Sequence, residues 1–471
     1  MKTNMWKLLT VMVVLTMLVT GLAACGATPE PQVVKETVVV TEKETVVVTE
    51  KEQVEVTKVV KEEVEKVVTA TPAPEAPTPV PEPVTLYVGG AMALTGAYAE
   101  DTAAVLAAYE DYVKYVNDTK MLAPWREEKF PENVTLEVLW RDDELNVEKA
   151  LSIYEELKGK GMLVYRIGGS PQALALKDLL NEDRMGAPSM ATGPYLLSPP
   201  QTIFTLYPIY TDSLAAVAEW FMENWKEDRA PRVAYLTADN AMGRSIEIPE
   251  FEAYLVGLGY EFVGGQYVPL VPTAPPTTQL LWLKENNVDL TLGVMINPGS
   301  QPTIKEAVRL GMGPHLDYKI TFACATPSHL QVFLPAMGDL AEGFVVGGGY
   351  PSWDDPAPGM AFALELQDTY RPNDKVTHIM YPHGMVEAMV QVEALRLAMQ
   401  EVPAGELRPV DVLEYGFYQI KDLDTGGVTS TPLTYGPGDV EGMSEVRVQQ
   451  IQDGKIVEVG TWPLRHIYKH E

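Results

Sequence analysis

Strand-like and helix-like patterns alternate along residues 84–310, and midway the alternation starts afresh. The apolar runs VTLYVGG, VTLEVLW and MLVYRI are each followed by apolar residues at helical spacing, over 102–116, 146–157 and 172–180. After TIFTLYP the rhythm restarts, with helical patterns at 213–225, 246–258, 277–285 and 303–310 separated by RVAYLT, EFVGGQYV and DLTLGVM. Such alternation predicts βαβ units on parallel sheets, because a parallel strand must be reached by a crossover that is usually helical. Two runs predict two lobes. Beyond them lie another strand, GFVVGGGY, helices at 360–369 and 385–399, and a hairpin in SEVRVQQIQDGKIVEVG, where alternating apolar residues flank a QDG turn.

The segment before this pattern has a different character. Lys2 and Lys7 precede the uncharged run LLTVMVVLTMLVTGL, which reads as a signal peptide over residues 1–24 and is set apart from the fold. The following LAACG resembles the bacterial lipobox, and that resemblance implies lipidation of Cys25. Residues 25–83 read as a lipid-anchored low-complexity stalk: KETVVVTE occurs twice in succession, decays to KEQVEVTK, and gives way to TPAPEAPTPVPEP. A period of eight fits neither a heptad nor a solenoid unit. Val56, Val60, Val64 and Val67 fall at helical spacing and leave a coiled coil open beside an extended, solvated stalk.

With 36 Lys and Arg against 65 Asp and Glu, the formal charge is -29, which repels nucleic acid and anionic membrane surfaces. No nucleic-acid partner is expected. Only Cys324 accompanies Cys25, so no disulfide framework exists, and its apolar strand context predicts a buried thiol.

The glycines of LYVGGAMALTGAY invite comparison with a phosphate loop, but neither G-x-G-x-x-G nor G-x-x-x-x-G-K-[ST] is present, and no cation lies between Tyr87 and Tyr112. Thr95 and Tyr98 are better suited to one side of a small, partly apolar ligand. The histidines form no metal-binding pattern, GGSPQ lacks the nucleophile-elbow spacing, and Asp142 with Asp143 reads as capping or surface. The expectation is therefore no enzyme, no cofactor and no metal.

In order along the chain, LTGAYAED, VLWRDDELNVEKAL, GGSPQALAL, PSMATGPYL, RVAYLTADNAMGRS, LKENNVDLTLGVM, GDLAEGFVVGGGYP and LTYGPGD resemble the periplasmic binding proteins of the branched-chain amino acid type, over essentially residues 84–471. The resemblance implies two Rossmann-like α/β lobes joined by three crossovers and delivery of a bound solute to an ABC permease. It places residues 84–208 plus 345–432 in the first lobe and residues 209–344 plus 433–471 in the second. Residue by residue, it implies ligand contacts at Gly169 and Ser170, at Ala191 and Thr192, and on the facing lobe at Met242, Ile296, Asn297 and Thr326. The acid that usually receives a ligand's ammonium group is missing from ACATPSH near Thr326, which opens the question of an amine-free carboxylate; Asp239, Asp354 and Asp355 are the possible substitutes. The expectation is a monomeric, membrane-anchored, extracytoplasmic solute-binding lipoprotein of an ABC importer. A sensory or scaffold ectodomain of the same fold, and an extracellular hydrolase using Ser170, are the alternatives.

Overall fold

The computed structural model describes residues 40–44, 56–60, 82–326, 328–348 and 350–468. The signal peptide and Cys25 lie outside them. Two compact units emerge, residues 1–80 and 81–471. In the first, β1 (Val40–Glu44) pairs antiparallel with β2 (Val56–Val60), Val40 opposite Val60. That pairing differs from both the coiled coil and the unpaired stalk expected there; β-branched Val and Thr favour a strand over a helix.

The second unit contains two hydrophobic cores. Ile209 belongs to the first and Tyr210 to the second; the chain passes back between Val346 and Tyr350 and crosses again between Met443 and Val446. The later two passages lie beyond the expected 344/345 and 432/433. The reason is local: Val345 and Val346 pair with the preceding strand of the second lobe, and Leu433, Tyr435 and Val440 still fill the first core.

In the first lobe β3 (Val84–Met92) runs parallel to β4 (Val134–Asp142). Parallel bridges then carry the sheet from Gly90 to Arg166, from Ile167 to Ser189 in β5 (Ala187–Ser189), and from Thr205 in β6 (Ile203–Thr205) to Glu441, with β5 and β6 paired in parallel. The glycine pair in β3 serves this sheet. Gly90 has φ +142°, and a Cβ there would lie 2.5 Å from the Arg166 amide nitrogen; Gly89 exchanges hydrogen bonds with the Gln391 side chain, 2.8 and 3.1 Å. The helices α1 (Ala99–Thr119), α2 (Val147–Gly159) and α3 (Ser170–Asp183) follow their strands. Asn146 caps α2 by accepting from the Lys149 amide at 2.9 Å.

The second lobe is opened by α4 (Tyr210–Asn224). Its sheet has seven strands, numbered here β7 (Arg232–Ala238), β8 (Glu261–Val268), β9 (Leu290–Val294), β10 (Thr321–Ala325), β11 (Val345–Gly347), β12 (Glu445–Gln452) and β13 (Lys455–Pro463). Their order is β13-β12-β11-β10-β9-β7-β8, parallel through β11 and antiparallel in the terminal hairpin. The middle strands β9 and β10 are buried almost throughout, as a sheet covered on both faces requires. Cys324 in β10 is fully buried, and burial pushes its thiol up to about 12. The helices α5 (Ala241–Arg244), α6 (Pro249–Gly257), α7 (Thr277–Glu285), α8 (Asn297–Arg309) and α9 (Leu330–Met337) belong to this lobe. On the first lobe α10 (Pro358–Tyr370), α11 (Met380–Ala398) and α12 (Pro409–Tyr415) complete the fold, α11 packing along α1. No helix among the described residues is long and apolar enough to cross a membrane.

Candidate functional site

Parallel strands gather their carboxyl ends at one edge, and the loops that leave those ends build ligand sites in open α/β sheets. Here both lobes contribute such ends to one cavity. Ala93 follows β3, Met190 and Ala191 follow β5, and Thr326 follows β10, while Gly168, Gly169 and Ser170 lead into α3 and Met242 sits in α5. The space these residues bound is about 490 Å³, part of it open solvent. Tyr98, Tyr207 and Tyr210 supply its rings.

Of the residues singled out in the sequence, Tyr98, Gly169, Ser170, Ala191, Met242 and Thr326 line this cavity together. The others stand elsewhere. Thr95 donates to Asp142 Oδ2 at 2.7 Å on an exposed edge, because Asp142 caps the turn by accepting from the Leu94 and Glu144 amides as well. Thr192 is buried outside the lining, its carbonyl accepting from the Tyr210 amide at 3.2 Å. Ile296 is the residue before α8 and lies in the second core. Asn297 holds a loop, giving to the His329 carbonyl at 2.9 Å and accepting from its amide at 2.8 Å. Nor do the possible acids reach the ligand space: Asp239 pairs with Arg244 at 2.8 Å, Asp355 accepts from the Ala357 amide, and neither Asp239, Asp354 nor Asp355 lines the cavity.

Sequence reasoning missed Arg166, the one charged side chain among the described residues of the lining. It is fully buried and pairs with the equally buried Glu387 of α11, Nε to Oε2 at 2.7 Å. Its Nη1 donates to the Ala91 carbonyl at 3.0 Å, and its Nη2 lies 2.8 Å from Met190 Sδ. A guanidinium has five N–H donors, of which these contacts engage three. Burial is the largest single influence and opposes its charge, but Glu387, Tyr109 and Asp143 together outweigh it and hold the guanidinium pKa above its ordinary value. Within the strand-like run MLVYRI, alternation says which residues share a face, and nothing in it distinguishes the face that meets the cavity.

The second source of positive potential is α3. Gly169 precedes it in an extended conformation with no side-chain cap, and because Pro171 has no N–H its first turn offers the uncapped amides of Ser170 and Gln172. Asp143, whose second oxygen has no hydrogen-bond partner, is buried near Arg166 but outside the lining, and burial raises its carboxyl pKa. The lobes meet across the cavity mouth. Tyr98 donates to Met242 Sδ at 3.4 Å and Tyr195 to the Ala241 carbonyl at 3.0 Å, each pair spanning the two lobes. Near the passages between lobes, the Tyr350 carbonyl accepts from Gln331 at 2.7 Å and Gln449 at 2.8 Å, and Tyr207 is bonded to His383.

A family model described as periplasmic binding protein matches residues 85–455. Among solved structures, a branched chain amino acid ABC transporter protein from Thermus thermophilus with bound valine is similar at TM-score 0.72 and 21% identity, over 82% of this chain and 98% of that one. A fatty acid ABC transporter substrate-binding protein from Thermomonospora curvata gives 0.67 and 19%, over 83% and 97%. A solute binding protein of an ABC transporter from Rhodopseudomonas palustris BisB5, in complex with 3,4-dihydroxy benzoic acid, gives 0.64 and 19%, over 81% and 98%. At these identities the likeness is one of fold. Among curated proteins no sequence matches.

Proposed function

Since the chain belongs to the periplasmic binding protein family, we propose that it is the extracytoplasmic solute-binding component of an ABC importer and that its ligand is a small carboxylate with an apolar body and no ammonium group. The observation that carries the ligand class is the lining, which among the described residues has Arg166, backed by its buried partner Glu387, and no Asp or Glu. An α-ammonium buried there would lack an anion, at a cost of several kcal/mol, whereas a carboxylate meets a guanidinium and the amides of α3. Ala93, Leu145, Met190, Ala191 and Met242 surround the remaining space with apolar surface. In the similar structures the named small molecules range from valine to 3,4-dihydroxy benzoic acid; the lining favours the amine-free end of that range.

In this reading Ser170, Gly169 and Arg166 hold the carboxylate, Ala191 and Tyr98 flank it, and Met242 and Thr326 contact the body of the ligand from the second lobe. Closure follows because the ligand touches both lobes only when they approach. Cys25 carries the lipid that keeps the protein at the membrane beside its permease, and the protein works as a monomer.

A thermal-shift comparison of valine with 3-methylbutanoate, the same skeleton without the amine, tests the ligand class on the full-length protein. At one hundred times its dissociation constant a ligand adds about 2.7 kcal/mol. The amine-free acid should shift the midpoint and valine should not. An equal or larger shift with valine would sink the amine-free assignment.

A further inference from the structure

Away from the cavity, side chains from three distant parts of the chain converge at the hinge. Asp212 stands in the first turn of α4, just past the first passage between lobes; Glu441 ends the first lobe's sheet, bridged to Thr205; His466 follows β13. One donor atom from each lies within 4.8 Å of the others, and His466 Nδ1 is 3.6 Å from Glu441 Oε1. Asp212 is 1% exposed. Its Oδ1 accepts from the Ile467 amide at 3.3 Å, while Oδ2 has no hydrogen-bond partner.

A carboxylate so placed is costly when ionised, and a second acid beside it adds repulsion. Burial first, and the Glu441 charge next, push Asp212 up to about 6. Asp439 adds a further negative charge to the same neighbourhood, against which Lys421 and His466 are the cations. The Glu441 carboxylate in turn holds His466 above its ordinary pKa.

We propose that Asp212, Glu441 and His466 form a site for one first-row divalent cation of the Zn²⁺ or Mn²⁺ kind, which clasps the hinge. Two carboxylates and an imidazole match the donor preferences of such ions, whereas Mg²⁺ and Ca²⁺ favour oxygen alone. Two ionised carboxylates neutralise the ion, and the ion supplies the partner that Asp212 Oδ2 lacks. With metal–ligand bonds of about 2.1 Å, tetrahedral donors stand roughly 3.4 Å apart, so the three groups need only draw together slightly. The His466 side chain is 65% exposed, which leaves water access to a fourth position. Asp212 belongs to the second lobe and Glu441 to the sheet edge of the first, so the ion ties one to the other independently of any solute in the cavity.

The test is calorimetric titration of Zn²⁺ and, separately, Mn²⁺ into the full-length protein after EDTA treatment and dialysis, with Mg²⁺ and Ca²⁺ as contrasts. One Zn²⁺ or Mn²⁺ per chain is expected, bound at least tenfold more weakly by His466→Ala and not at all by Asp212→Asn. Because Asp212→Asn removes a buried carboxylate, its metal-free melting midpoint should equal or exceed that of the parent, which separates loss of the site from misfolding. The proposal is overturned if the parent binds neither ion, if binding survives both substitutions unchanged, or if Ca²⁺ binds more tightly than Zn²⁺.

Discussion

Arg166 joins two jobs that substitution can separate. Removing its charge alone strands Glu387 in the first core, and breaking a buried pair on one side costs about 3–5 kcal/mol. Arg166→Met should therefore lower the urea midpoint sharply, while Arg166→Met with Glu387→Gln should recover most of the stability. Neither should bind the carboxylate. Recovery of ligand-induced thermal shifts in the double variant would refute the role given to the guanidinium. A pH effect belongs at this scale too. Burial depresses His329 to about 4 from an ordinary 6.5. As pH falls below about 6.5 the unfolded chain takes up a proton that the folded chain refuses, so this contribution to stability is lost progressively down to about 4. Denaturant titrations at pH 7 and pH 4 should show His329→Leu losing less stability on acidification than the parent, by roughly 3 kcal/mol. The sequence marked five cavity residues by their place in familiar loops and Tyr98 by its chemistry, but Arg166 and the tyrosines Tyr207 and Tyr210 went unread, because which way a side chain points is set by tertiary packing.

At the level of elements, periodicity located most long helices and the sheets they cover. It failed where the signal was shortest. β5 and β6 have three residues each, too few for alternation to register, whereas β11 of the same length was found inside the apolar run GFVVGGGY and the run MLVYRI joins the sheet only through isolated bridges. The start of α8 was read too late because Pro302 resembles a helix boundary. The helix begins at Asn297 and accommodates the proline inside it, at the loss of a backbone bond. Gly90 offers a direct check on how closely β3 approaches the next strand. Gly90→Ala combines a left-handed backbone with a Cβ inside contact distance of Arg166, so it should destabilise by at least about 1–3 kcal/mol in chemical denaturation. An unchanged midpoint would mean that this approach is looser than described.

Across the whole molecule, the two lobes were legible as a rhythm that stops and restarts, whereas the positions of the passages between them depended on which core each apolar side chain joins. The contacts over the cavity mouth favour the closed arrangement. Tyr195→Phe removes one hydrogen bond worth about 0.5–1.5 kcal/mol, so the closed-to-open ratio of the ligand-free protein should fall roughly fivefold. Fluorescence transfer between labels on the two lobes would register this as a lower-transfer population; no change would place the control of closure elsewhere.

The threefold passage of the chain also governs when the fold can form. Glu441 extends the first sheet through its bridge to Thr205, and β12 closes the second against β11, so both lobes wait on segments made more than two hundred residues after their first strands. Neither lobe's sheet is complete until these late segments have been made. Loss of the chain from Glu441 onward should therefore leave both lobes, not one, with an open sheet edge.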